Sequence, residues 1–210
     1  MKFRQLNFYN PGVLEATMSE EVFQDLVSFS DKQLESKNIG YAMKRAQFTD
    51  STVAGVEESV FVKLPKLYSD FLMNFSQEFA NHFKLNVVNK TPTIIHSWLN
   101  FQKRYEYRPS HSHMDNRDMG LSFITYIRIP YDTKEEDNHP NHHKAVKFRN
   151  GRLEFLYNGF DGQQRTQIVD VNKSYEGKTL LFPNTLIHTV YPFYTSTEYR
   201  ISLAGNISFM

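Results

Sequence analysis

Leu121-Ser122-Phe123-Ile124-Thr125-Tyr126-Ile127-Arg128-Ile129 is the stretch that decides the fold class. It is short and dominated by β-branched and aromatic residues, which fit a pleated and buried surface, so it reads as a strand. Runs of the same texture lie on both sides: Thr93 to Phe101 upstream, then Leu153 to Tyr157, Thr166 to Val171, Thr179 to Phe182, Ile187 to Pro192 and Tyr199 to Phe209. Gly, Asn, Asp or Pro punctuates the gaps between them. Seven or eight strands in about 115 residues, with no helical pattern between, predict an antiparallel sandwich or barrel and not a parallel α/β sheet.

Upstream of Thr91 the periodicity is helical. Ser19 followed by Glu20 and Glu21 is a capping signal, and Val22, Phe23, Leu26, Val27 and Phe29 fall on one face behind it. A second helix is predicted from about Lys66 to Phe83, where Leu67, Phe71, Leu72, Phe75, Phe79 and Phe83 recur at intervals of three and four behind Pro65. Residues 37 to 60 read as loop and short irregular structure. The class is therefore mainly β (α+β), with N-terminal helices buttressing one outer face.

Composition narrows the partners. The 24 Lys+Arg against 23 Asp+Glu leave a net charge of +1, which gives no basis for a duplex-binding surface, so a nucleic-acid partner is not indicated. With no cysteine, a metal must be held by imidazole and oxygen. The N-terminus lacks a continuous apolar core, and no run approaches the ~18 apolar residues of a membrane span. The expectation is a cytoplasmic protein without a membrane partner. Eighteen Phe and twelve Tyr against one Trp suit an aromatic-rich β domain.

The segment most charged with chemistry is His111-Ser112-His113-Met114-Asp115. In an extended strand, residues 111, 113 and 115 point the same way at intervals of about 6.6 Å, so two of them can close on one ion. His188 is the best distal ligand. An iron(II) site that activates oxygen needs about three protein ligands on one face of an octahedron. His111, His113 and His188 supply a three-histidine set, while His113, Asp115 and His188 supply two histidines and a carboxylate; both sets stay open. Arg200 alternates with apolar neighbours and shares a face with Ser202 and Ala204, a placement suited to gripping a ligand carboxylate inside a barrel, although a surface pairing with Glu198 is the plainer reading. Asn100, Gln102, Tyr126 and Ser202 are further inward-facing candidates for contact with the site. The polar stretch Asp132 to Lys144, with His139, His142 and His143, reads as a flexible lid. His96, beside Trp98, reads as a packed core residue, and His82 belongs to the second helix.

Several pieces taken in order carry a family likeness: Ser97-Trp98-Leu99-Asn100-Phe101-Gln102-Lys103, Pro109-Ser110-His111-Ser112-His113, the run 121–131, Ser174-Tyr175-Glu176-Gly177, Leu181-Phe182-Pro183, His188-Thr189-Val190-Tyr191-Pro192-Phe193 and Tyr199-Arg200-Ile201-Ser202-Leu203-Ala204-Gly205-Asn206. From Ser97 to Asn206 the chain resembles the small 2-oxoglutarate- and iron(II)-dependent oxygenases of bacteria and tailed phages. The resemblance implies a double-stranded β-helix, or jelly roll; together with the chain's length and pattern, the expectation is a single oxygenase domain over 1–210 whose residues 1–90 form helical support and 91–210 the jelly-roll core. It implies iron held by the His-x-His or His-x-Asp pair and by His188, and Arg200 binding the distal carboxylate of 2-oxoglutarate. The expected reaction consumes O2 and hydroxylates an unidentified protein side chain, nucleotide or small metabolite, forming succinate and CO2. A homodimer is compatible, as is the host cytoplasm if the gene belongs to a phage. The competing readings are a cupin-like metal- or ligand-binding module and a phage structural protein without oxygenase turnover.

Overall fold

The computed structural model describes residues 12–36, 58–113, 120–140, 149–159 and 161–210. In chain order these form β1 (Leu14–Thr17), α1 (Glu20–Glu35), β2 (Glu58–Phe61), α2 (Lys66–His82), β3 (Pro92–Gln102), β4 (Arg108–His111), β5 (Gly120–Arg128), α3 (Thr133–Asn138), β6 (Leu153–Asn158), β7 (Gln164–Val169), β8 (Lys178–Pro183), β9 (Ile187–Val190) and β10 (Arg200–Phe209). The strands make a six-stranded sheet in the order β1-β8-β5-β10-β3-β2 and a four-stranded sheet in the order β4-β9-β6-β7. Every strand pairing in both ladders is antiparallel. From β3 to β10 the chain passes back and forth between the sheets, which is the winding of a double-stranded β-helix.

The decisive stretch forms β5, in the middle of the larger sheet, and both of its faces are covered. Leu121, Phe123 and Ile127 belong to the core under the helices, with Leu26 of α1 and Leu72, Phe75 and Phe79 of α2. Ile124 and Tyr126 belong to the core between the sheets, with Phe155, Leu180, Phe182 and Val190. A strand buried on both sides reads as a continuous apolar run instead of an alternating one. Each fully buried Leu or Phe contributes roughly 1.5–3 kcal/mol by removal from water.

Both predicted helices form, and each has a local cause. Ser19 caps α1, accepting from the Val22 N–H at 3.4 Å, and Glu20 and Glu21 sit at the positive end of the helix dipole. In α2 the buried Tyr68 hydroxyl meets Thr125 Oγ1 at 2.5 Å, and Thr125 meets Thr179 Oγ1 at 2.6 Å, which pins the helix to β5 and β8. The segment read as helical support also contributes two strands. β1 pairs with β8 and β2 with β3, widening the larger sheet at both edges. Four residues each are too few for a periodicity to show.

The stretch read as a flexible lid is corrected over its described part. Asp132 caps α3 by accepting from the Lys134 N–H at 2.7 Å. Glu136 is fully buried, and its carboxylate accepts from the backbone N–H groups of Tyr194 and Thr195 and from the Thr195 hydroxyl. Arg152 grips Asp137 through both Nη atoms, at 2.6 and 2.9 Å. These buried charge-assisted bonds fasten α3 to the body of the protein. His142 and His143 lie outside the described residues. No described helix is long and apolar enough to cross a membrane.

Candidate functional site

β4 and β9 are neighbours in the smaller sheet, and His111 and His188 are partners in their register. β4 ends at His111, and His113 lies just beyond it, its backbone N–H donating to the Asn184 carbonyl at 2.8 Å. The expected alternation of 111 and 113 along one strand is therefore replaced by a strand end and the turn that follows. Even so, the three histidines converge. Each offers a ring nitrogen, and these atoms lie within 4.8 Å of one another. Ring centroids are 4.2 Å apart for His111 and His188, 5.1 Å for His111 and His113, and 5.3 Å for His113 and His188. Asp115 lies outside the described residues.

The surroundings leave two of these rings able to act as ligands. His111 Nδ1 is 2.6 Å from the Pro109 carbonyl and His188 Nδ1 is 3.0 Å from the Leu186 carbonyl. A carbonyl can only accept, so Nδ1 carries the proton in each and Nε2 keeps its lone pair for a metal. Burial pushes His111 down to about 3, helped by His188 and by the charges of Arg108 and His113, against the hydrogen bond to Pro109. Burial likewise pushes His188 down to about 4, with the Arg108 charge acting in the same direction. Both imidazoles are thus neutral at neutral pH, the state that metal binding requires. Phe182 and Phe155 pack against His188, with centroids at 5.0 and 6.2 Å, and Trp98 lies 5.5 Å from His113. Two neutral imidazoles with fixed tautomers and a third ring nitrogen within 4.8 Å fit a divalent ion of the iron(II) kind.

The larger sheet supplies the opposite wall. On β10, Arg200, Ser202 and Ala204 pair with Gln102, Asn100 and Trp98 of β3, and Ser202 also pairs with Tyr126 of β5. Register partners share a face, and Trp98 and Tyr126 place that face between the sheets. The Asn100 amide donates to Ser202 Oγ at 3.3 Å and accepts from the Ser59 hydroxyl at 2.7 Å. Ser59 belongs to β2, which the sequence did not disclose. Arg200 is only 2% exposed, so the reading of it as a surface residue paired with Glu198 is corrected. Its guanidinium donates to Gln102 Oε1 from both Nε and Nη2, to the Tyr131 hydroxyl at 2.7 Å, and to the carbonyls of Gly151 and Tyr191 at 2.9 and 3.1 Å.

Other readings change. His96 is exposed on β3 and stacks edge-on against Phe61 at 6.3 Å; it is not a core residue. His139 lies over Tyr194 at 5.1 Å, away from the three-histidine cluster. Tyr131, Gly151 and Tyr191 were not read as site residues, since they reach Arg200 only through long-range folding. Arg108 lies three residues before His111 in the sequence, where nothing local sets it apart from Lys103 and Arg104.

A double-stranded β-helix with three converging imidazoles between its sheets is a jelly-roll protein whose site could hold a metal ion. Residues 96–206, just over half of the chain, match the family described as "Putative 2OG-Fe(II) oxygenase". The chain belongs to that family, and with it to the oxidoreductases that use 2-oxoglutarate and iron(II). No curated protein matches the chain by sequence. Solved structures share the fold. A Pseudomonas putida prolyl-4-hydroxylase aligns with TM-score 0.57 at 13% identity, over 94% of this chain and 92% of that one. A Trichoplax adhaerens prolyl hydroxylase in complex with a hypoxia-inducible-factor peptide aligns with TM-score 0.59 at 12% identity, over 95% and 84%. HygX of Streptomyces hygroscopicus, with nickel and 2-oxoglutarate bound, aligns with TM-score 0.54 at 11% identity, over 94% and 82%.

Proposed function

We propose that His111, His113 and His188 hold iron(II), and that the chain hydroxylates a peptide side chain or a small molecule while 2-oxoglutarate is converted to succinate and CO2. The observation that carries this reading is the convergence of three ring nitrogens within 4.8 Å, on elements separated by more than seventy residues of sequence. When bound, iron(II) supplies the redox chemistry that couples decarboxylation of the keto acid by O2 to oxidation of a C–H bond. The chain's own residues do the rest. The carbonyls of Pro109 and Leu186 hold the Nδ1 protons and thereby orient two ligands. Trp98, Phe155 and Phe182 keep water from the rings. Arg200 is the buried cation of the opposite wall, and in this reading the distal carboxylate of the keto acid enters on its Gln102 side, near Ser202 and Asn100.

Anaerobic titration of the metal-free protein with iron(II) and then 2-oxoglutarate tests it. Stoichiometric metal uptake followed by a weak visible charge-transfer band is expected, with both lost in His188→Ala. Wild-type protein that takes up no divalent metal would refute the assignment. Metal uptake with no response to 2-oxoglutarate would favour a cupin-like binding module.

A further inference from the structure

Arg108 is placed for a task that the metal centre and the cosubstrate leave undone. Its partner in the β4–β9 register is Val190, which is buried in the core between the sheets, so Arg108 projects from the inner face of β4. His111, three residues later, uses the same face. In a regular strand residues three apart face opposite ways, and the register irregularity between Arg108 and His111 brings both inward. Among the described residues β4 is the terminal strand of its sheet, and Arg108 sits half-buried on it, whereas Arg200 is sealed in the opposite wall.

The other described arginines show how this protein treats a guanidinium. Arg128 is bound to Asp31, Arg149 to Glu154, Arg152 to Asp137 and Asp170, and Arg165 to Asp161. Arg104 lies over the Tyr105 ring, and Arg200 is served by Gln102, Tyr131 and two carbonyls. Among the described residues, the Arg108 guanidinium has neither a hydrogen bond nor an ion pair. A half-desolvated guanidinium costs free energy until a planar oxyanion meets its fork.

Charge counting says which oxyanion. On the reading proposed above, three neutral imidazoles leave a divalent ion with its full double charge, and the doubly negative keto acid cancels it. Arg200 adds a further positive charge in the opposite wall, so the site holds a net positive charge even before Arg108, the half-buried cation on β4, is counted. We propose that Arg108 selects the primary substrate, which carries a carboxylate or phosphate group close to the carbon that is oxidised. Arg108 is thus a specificity residue for an anionic substrate, and the inference rests on the three-histidine metal assignment.

The test uses manganese-loaded protein saturated with N-oxalylglycine, the inert analogue of the keto acid. Manganese uptake is verified first by electron paramagnetic resonance, and its failure would count against the metal assignment separately. Acetate and methyl phosphate are then added as probes, and paramagnetic relaxation of the carboxyl carbon and of the phosphorus is measured. Wild type should relax at least one probe, Arg108→Gln should lower that effect at least about fivefold, and Arg108→Lys should retain part of it. The responsive probe identifies the group as carboxylate or phosphate. Equal relaxation in wild type and Arg108→Gln, or none in wild type, overturns the proposal. So does a roughly tenfold weakening of N-oxalylglycine itself in Arg108→Gln, which would make Arg108 a cosubstrate anchor. Arg108 holds no described internal partner, so the glutamine variant should fold, and its circular dichroism checks this.

Discussion

Gln102 Oε1 accepts from both Nε and Nη2 of Arg200, so one neutral amide oxygen occupies the edge of the guanidinium that a carboxylate would grip with two. If the keto acid meets Arg200 there, it must displace Gln102. Gln102→Met keeps the side-chain bulk and removes the acceptor. Calorimetry on metal-loaded protein should then show tighter N-oxalylglycine binding, together with a stability loss of about 1–3 kcal/mol from the donors left unpaired. Unchanged affinity would mean that the cosubstrate does not use this edge.

Metal-free stability should fall on mild acidification. The unfolded imidazoles take up protons near 6.5, while the folded ones resist until about 4 for His188 and about 3 for His111. Their contribution is therefore complete above 6.5 and drains away as pH drops from there toward 4 and below. Urea midpoints of the metal-free protein at about pH 5 should lie below those at about pH 7.5. The double change His111→Asn, His188→Asn should flatten that slope, and an equally steep slope would remove these two groups as its cause.

Glu136 ties the segment before β10 to α3. Glu136→Gln replaces a carboxylate that receives three donors, with contacts of 2.6 to 2.9 Å, by an amide with a single acceptor oxygen. We expect a loss of about 1.5–3 kcal/mol and faster amide exchange at Tyr194 and Thr195. Exchange identical to wild type would show that the clamp does not order this segment.

Gly205 is needed for the contact between strands and not for its backbone angles. A Cβ there would lie 2.3 Å from the His96 carbonyl oxygen and 2.6 Å from the Phe123 ring. Backbone on one side and a buried ring on the other leave little room to relax, so Gly205→Ala should cost at least the ~1–3 kcal/mol typical of overpacking. A melting temperature within a degree or so of wild type would contradict this packing.

Much of the fold was legible from local pattern. The run 121–129 disclosed its strand because β-branched and aromatic side chains cluster there, and the helix beginning at Glu20 disclosed its start because a serine cap precedes two acids. β1, β2 and β4 are four residues each, and the proline in Arg108-Pro109-Ser110-His111 hides the last of them. In the site, the sequence singled out His111, His113 and His188, which the fold brings together. It misread His96, because whether an edge-facing side chain is covered depends on what packs over it.

What the sequence determined by itself was the two long helices, the longer strands and the donors they carry, since alternation, capping and propensity act within a few residues. Only the tertiary structure decided that His111 faces His188, that Arg200 is enclosed by Gln102 of β3, Tyr131, Gly151 and Tyr191, and that Arg108 turns inward beside a register shift. Those relationships depend on strand register. Register is set by the summed burial and hydrogen bonding of whole sheets, and no local stretch of the chain carries that sum.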